Sequence, residues 1–378
     1  MTTASKGAEL RTGLIGYGLA GSVFHAPLIT TIEDFSLDII VTANPERQKS
    51  ALARYPGVLV LASTDELWEH ADDLDLVVVA SPNRTHVPLA TAALQTGLPV
   101  VVDKPLSATA AEALSLANLA DEVGRMLSVY QNRRWDSDFL TLRGLIEAGE
   151  LGDVWRYESR FERWRPTPSG AWRESGDPGE VGGLLYDLGS HLVDQALVLF
   201  GPVSTVYAEV LVRRAGAQTD DDSFVALEHA SGVRSHLWMN VIAAQPGPRF
   251  SVLGSEASFV KYGLDPQEAR LRSGERPGQP GAPAPAAGPA EGPPKQWGEE
   301  PESAWGTLTR PGATSGPTQR TVPSVPGDYP AYYRGVAAAL RGAAPPPVTA
   351  REAAATTAIL EAARASARQQ RPLDVAGG

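Results

Sequence analysis

Leu98-Pro99-Val100-Val101-Val102-Asp103-Lys104-Pro105 is a β-branched run that ends in an acid, a lysine and a proline. Val100 to Val102 read as a strand buried on both faces, the pattern of a parallel sheet. Pro105 lacks an amide proton and cannot continue a ladder, so the strand stops with Lys104 at its carboxyl end. Open α/β sheets bind ligands at that end. A lysine so placed either reaches into a crevice, its ammonium set against an alcohol or carbonyl oxygen, or simply faces water. The segments on either side bear on that choice.

Upstream, Leu14-Ile15-Gly16-Tyr17-Gly18-Leu19-Ala20-Gly21 follows an apolar strand and opens a helix running toward Leu28. In that setting G-x-G-x-x-G reads as a dinucleotide site, with Gly16 and Gly18 permitting the turn and Leu19 and Ala20 at the helix start beside a pyrophosphate. His25, inside the helix, reads as a packed residue. The second strand, Leu37 to Thr42, ends in Val41-Thr42-Ala43-Asn44-Pro45-Glu46-Arg47 without the carboxylate that usually meets a ribose 2′-hydroxyl. Thr42, Asn44 and Arg47 suit a 2′-phosphate, so NADP(H) is expected ahead of NAD(H); alternatively Arg47 only balances Glu46 on the helix surface.

Strands at 58–61, 74–80 and 126–131 alternate with helices at 65–70, 85–96 and 108–123, which implies right-handed crossovers and a doubly wound parallel sheet. The loop Ser81-Pro82-Asn83-Arg84-Thr85-His86 ends the fourth strand, so Ser81, Pro82, Asn83 and His86 are candidates for the nicotinamide side of the crevice, as is Asp103. His86 is equally explained as a first-turn helix residue with no chemical role. This Rossmann domain spans 1–132, and a helix at 137–148 leads into a second α/β domain, 133–378.

From Gly152 the period becomes two: Trp155, Tyr157, Ser159 and Phe161 alternate with charged residues. With strands at 203–213, 222–228, 233–241 and 250–253 this predicts a large open-faced, mainly antiparallel sheet whose outer face joins subunits. Arg160, Arg163 and Arg165 either serve a phosphate or carboxylate, or pair with Glu158 and Glu162. A helix over 184–200 would put Asp187 and His191 one turn apart with Asp194 three residues on. A carboxylate holding an imidazole makes a general acid/base; a capping Asp and a satisfied buried His read equally well. Residues 273–321, rich in Pro, Gly and Ala, read as a mobile insertion, and helices at 328–340 and 349–368 close the chain, packing on the sheet or the first domain.

The 378 residues carry a net charge of −11 and no cysteine, which disfavours nucleic acid, anionic membrane, thiolate chemistry and Cys-bound zinc. The six histidines show no metal-ligand spacing, so no metal is expected. Without a signal core or a spanning apolar run, the protein reads as cytoplasmic.

The glycine turn, the Ser81-to-His86 loop, Asp103-Lys104-Pro105 and the Asp187…His191…Asp194 segment resemble the Gfo/Idh/MocA oxidoreductases, whose usual strand end is Glu-Lys-Pro; Asp103 is a conservative departure. Gly21-Ser22-Val23-Phe24-His25-Ala26-Pro27, Tyr130-Gln131-Asn132-Arg133-Arg134-Trp135-Asp136 and Tyr186-Asp187-Leu188-Gly189-Ser190-His191 are similar to the NADP-dependent scyllo-inositol dehydrogenase branch. The resemblance implies a homodimer or homotetramer joined through the open sheet and reversible hydride transfer between NADP and a ring polyol. It places Trp172 and Arg173 beside the cofactor, and Lys104, Asn132, Asp187, His191 and Asp194 around the substrate. On this reading His191, oriented by Asp187, removes a hydroxyl proton, Lys104 stabilises the developing charge and Asp194 binds a neighbouring hydroxyl. Which of Lys104 and His191 moves the proton stays open. An aldose or keto-sugar substrate, or an NADP-sensing regulator without chemistry, are the alternatives.

Overall fold

The apolar runs pair as parallel strands: β1 (Leu10–Ile15), β2 (Phe35–Val41), β3 (Leu59–Leu61), β4 (Leu76–Val79), β5 (Val100–Asp103) and β6 (Leu127–Tyr130). In the computed structural model, which describes residues 8–168, 174, 176, 180–278, 296–312 and 316–375, they form one sheet ordered β3-β2-β1-β4-β5-β6. Val77 to Val79 and Val100 to Val102 are wholly buried, as strands covered on both faces must be. Helices α1 (Ala26–Ile29), α2 (Pro45–Arg54), α3 (Thr64–Trp68), α4 (His86–Gln95) and α5 (Ala110–Val123) make the crossovers. The strand order reverses between β1 and β4, and this opens a crevice at their carboxyl ends.

One departure lies just after the glycine turn. Residues Ala20–His25 form a π-helical turn before α1, with the Ala26 amide donating to the Gly21 carbonyl. Pro27 has no amide proton and its ring would crowd the carbonyl four residues back, so the wider turn replaces an α-helix here.

The chain then crosses on α6 (Ser137–Glu147) into β7 (Val154–Glu162), α7 (Leu184–Asp187), α8 (Gly189–Phe200), β8 (Val203–Leu211), β9 (Asp222–His229), β10 (Arg234–Asn240), β11 (Phe250–Gly254), β12 (Ser258–Lys261) and α9 (Gln267–Arg272). After β13 (Gly306–Arg310), β14 (Thr318–Val322), α10 (Pro330–Leu340) and α11 (Ala350–Gln369), β15 (Leu373–Asp374) ends the described chain. Among the described residues the second sheet has nine strands, ordered β14-β13-β12-β11-β7-β10-β9-β8-β15. It is antiparallel except at its centre, where β7 and β10 run parallel. Tyr157, Ser159 and Phe161 are buried as the period predicted, but Trp155 is 61% exposed. The register shifts opposite it, between Leu253 and Gly254, and the bulge turns Trp155 away from the core face.

Two readings of the sequence need correction. Residues 273–321 are not one insertion, because β13 and all but the last residue of β14 lie within them and extend the sheet; Thr307, Thr309 and Thr321 supply the β-branched side chains that a count of Pro and Gly hides. The helix expected over 184–200 is broken at Leu188, whose φ of −100° separates α7 from α8.

The C-terminal helices tie the two cores together. Tyr329, Tyr332, Tyr333 and Val336 of the α10 region and Ala353 and Ala354 of α11 pack with the first core, while Ile359, Leu360 and Ala363 of α11 pack with the second. A capping box of Thr349 and Glu352 fixes where α11 starts. In the second core Arg249 lies between Phe161 and Phe250 and donates from Nε to Asp138 Oδ2 at 2.9 Å and from Nη2 to Gln195 Oε1 at 2.8 Å, with Ser159 as a third partner. Both members of the Arg249–Asp138 pair are essentially inaccessible to water. Arg249→Met leaves a buried carboxylate without its cation and is expected to lower stability by about 3–5 kcal/mol; urea unfolding followed by tryptophan fluorescence measures it.

Candidate active site

The backbone of the glycine turn admits only glycine at two positions. Gly16 has a φ of +98°, and a Cβ there would lie 2.5 Å from the Ala80 carbonyl oxygen; one at Gly21 would lie 2.0 Å from the Gly16 carbonyl oxygen. This close packing of strand, turn and helix leaves a cavity of about 320 Å³ in front of the turn. Gly16, Gly18, Leu19 and Ala20 form its floor, Arg47 one wall, and Ser81, Pro82 and Asn83 another. The Arg47 guanidinium stands beside Gly18, 3.7 Å from where a Cβ would sit. The turn's amides and its glycine floor suit the diphosphate of a dinucleotide.

Thr42 and Asn44 lie outside the lining. The Thr42 amide donates to Leu61 O and its carbonyl accepts from Gln48 Nε2, while Asn44 Oδ1 accepts from the Arg47 amide at 3.0 Å and so caps α2. His86 is also outside it: Nδ1 sits 2.7 Å from Pro105 O and Nε2 2.9 Å from Ser81 O, so the ring ties the β4 loop to the end of β5. Burial lowers the His86 pKa, outweighing the two carbonyls and the charge of Asp103.

Lys104 emerges at the end of β5, where sequence placed it. Its side chain is 13% exposed, and Nζ donates to the carbonyl of Asp187 at 2.6 Å and to Oδ1 of Asp187 at 2.8 Å. Behind it, Asp103 Oδ1 accepts from the Lys104 amide at 2.9 Å and lies 3.9 Å from His25 Nε2, itself buried with Nδ1 on the Tyr333 hydroxyl. Burial pushes the Asp103 carboxyl up, but the facing His25 ring and then Lys104 hold it below the usual carboxylate value.

Beyond Lys104 a second lobe of about 220 Å³ opens, and it shares Leu19, Ala20, Asp103, Lys104, Gly183 and Asp187 with the first. His191 and Asn132, both buried, line it. Among the described residues no hydrogen bond engages either ring nitrogen of His191, and Nδ1 is buried without a partner. Burial drives the His191 pKa well below 6.5, with the charges of Lys104, Arg133, Arg249 and Arg163 acting the same way. The ring is therefore neutral and able to accept a proton.

Two expected roles do not hold. Asp187 does not orient His191: the break at Leu188 interrupts the helical i, i+4 geometry, and its carboxylate and carbonyl go to Lys104 instead. Asp194 does not reach the lobe. It accepts two hydrogen bonds from Arg134, at 2.8 and 2.7 Å, and both side chains are nearly inaccessible. Trp172 and Arg173 lie outside the described residues.

Sequence reading also missed a wall. Glu180 and Val181 close the first lobe: the Glu180 carbonyl accepts from Asn83 Nδ2 at 2.7 Å, its carboxylate pairs with Arg84, and Val181 has a φ of +48°. A β-branched residue in that region is rare, and nothing in the one-dimensional pattern announces it.

Residues 10–131 match the family model described as "Oxidoreductase family, NAD-binding Rossmann fold", and residues 143–375 match "Oxidoreductase family, C-terminal alpha/beta domain". The oxidoreductase YdgJ of Escherichia coli, whose function is uncharacterized, is 42% identical over 88% of this chain and 89% of its own. The scyllo-inositol 2-dehydrogenase (NADP(+)) IolW of Bacillus subtilis is 37% identical over 99% of both chains. Among solved structures, a Yersinia pestis oxidoreductase superposes with a TM-score of 0.88 at 38% identity, covering 99% of this chain and 100% of that one.

Asp194→Ala leaves the Arg134 guanidinium with Glu352 alone and is expected to cost about 1–3 kcal/mol in urea unfolding. A substrate-binding Asp194 would instead show a raised KM with stability intact.

Proposed function

The chain belongs to the Gfo/Idh/MocA oxidoreductases, and from that premise we propose that it interconverts a secondary alcohol and a ketone on a cyclitol or sugar, using NADP(H). Scyllo-inositol and its inosose are the first candidate pair. The observation that carries this reading is that the Lys104 ammonium and the neutral His191 ring line one lobe, directly beyond the glycine turn. The full-length likeness to IolW supports the inositol choice. Arg47 beside Gly18, together with a β2 tip that lacks a carboxylate, supports NADP over NAD.

The NADP nicotinamide, when bound, supplies the hydride acceptor. The chain supplies the rest. Asp187 holds the Lys104 ammonium in one direction with two oxygens, so its remaining proton can point at a hydroxyl oxygen and stabilise the charge that develops there. His191, kept uncharged by burial and by nearby cations, takes the hydroxyl proton. Asn132, buried in the same lobe, presents an amide to the ring's other hydroxyls.

The outer face of the second sheet carries Phe224, His236 and Trp238 in mutual contact, with the Arg160 guanidinium 4.0 Å from the Trp238 ring centre. On this reading copies associate there as dimers or tetramers. Among the described residues no helix is long and apolar enough to cross a membrane. A cytoplasmic location is part of the same proposal.

Lys104→Ala and His191→Ala are each expected to lower kcat for NADP-dependent scyllo-inositol oxidation by about 10²-fold or more, with NADP affinity by fluorescence titration moving far less. Near wild-type turnover in both variants refutes the assignment. Because His191 must be uncharged to accept a proton and its pKa lies below 6.5, kcat/KM for oxidation is expected to hold at pH 6.5 and to fall only at lower pH. An acid limb centred at or above pH 6.5 contradicts the role of His191.

A further inference from the structure

The second lobe carries more positive charge than proton and hydride transfer require. Most of its cations are matched: Lys104 with Asp187, Arg133 with Asp136 and Glu268, Arg272 with Glu268, and Arg214 with Glu174 and Asp221. The Asp220 carboxylate accepts from the Leu185 amide at 2.7 Å and the Ser223 hydroxyl at 2.8 Å. Arg163 and Arg165 also line the lobe, and among the described residues neither has a carboxylate within ion-pair distance. The carboxylates that sequence offered them are spoken for, since Glu158 pairs with Arg156 and Arg160, and Glu162 accepts from Asn240 Nδ2 and the Gly247 amide.

Their backbone explains why both face one way. The Arg163 amide donates to Asn240 O at 3.0 Å and the Arg165 amide to Val241 O at 2.8 Å, so 163–165 is an extended segment pinned to the end of β10. Alternation along extended chain puts residues 163 and 165 on one side and Trp164, 58% exposed, on the other. Burial, with Arg133 and Arg165 adding to it, opposes the charge on Arg163 more than Glu268 and Asp187 favour it. A half-buried guanidinium held this way gains most from an anion that brings its own oxygens.

We infer that the ring substrate carries an anionic oxygen substituent, a carboxylate or a phosphate, seated against Arg163 and Arg165 while its reacting hydroxyl faces Lys104 and His191. This rests on the dehydrogenase reading above and narrows its substrate class from cyclitols and sugars in general to acidic ones, with neutral scyllo-inositol a ring that fills the site only in part. A neutral ring fills only the chemical end of the lobe; an acidic one also fills the arginine end, where two planar forks match carboxylate or phosphate geometry.

The test is calorimetric titration of the NADP-loaded protein with glucose, glucuronate and glucose 6-phosphate, three rings that differ only in the outer substituent. At least one anion is expected to bind about tenfold or more tightly than glucose. The stronger of the two tells carboxylate from phosphate. Arg163→Gln with Arg165→Gln is expected to bring that ratio close to one. Arg143→Gln with Arg234→Gln, which removes the same two charges from exposed sites outside the lobe, is expected to keep it. Equal affinities for all three rings, or an anion preference that survives the double variant, overturn the inference. Scyllo-inositol oxidation is scored separately: turnover without anion preference removes this inference alone, whereas anion preference without turnover of any ring upholds charge recognition and removes the dehydrogenase reading.

Discussion

The arrangement depends on the grip of Asp187 on the Lys104 ammonium. Lys104 stands where Pro105 ends β5, and Asp187 stands where α7 breaks, so its carbonyl takes no backbone amide from the His191 turn and lies at the negative end of a short helix. One cation thereby joins the end of a parallel strand in the first core to the end of a helix over the second. That bridge is part of the wall the two lobes share, because Lys104 and Asp187 line both.

Around this bridge the charges are sorted by burial. Two pairs lie largely out of water: Arg134 on Asp194, between the turn after β6 and α8, and Arg249 on Asp138, between the start of β11 and α6. Such pairs add little net stability relative to apolar packing, but losing one partner is costly, so they specify which surfaces meet. Their cations also act on the site. Buried, with Lys104, Arg133, Arg249 and Arg163 near it and no carboxylate among the described residues bonded to its ring, His191 stays neutral, which a proton acceptor must be. Among the described residues the same economy leaves the Arg163 and Arg165 guanidinium groups without a carboxylate in ion-pair distance in the lobe.

The sequence by itself determined what is local or periodic: the glycine turn, the Val-rich strand that stops at Lys104, the alternation of β7, and the presence of Asp187 and His191 in one segment. Each follows from backbone limits or from a period of two or 3.6, so the doubly wound sheet, the open sheet and most of the residues lining the first lobe were legible. Tertiary structure alone decided partners. Whether Asp187 serves His191 or Lys104 turns on a helix break at Leu188 that no Gly or Pro marks at that position, and whether Asp194 meets substrate or Arg134 turns on a residue sixty positions away. Asn44 and His86 carry the right groups for a cofactor, yet each spends them on its own backbone or a neighbouring strand. Side-chain chemistry shows what a residue can bind, but its nearest partner depends on contacts distant in sequence, and no local pattern encodes those.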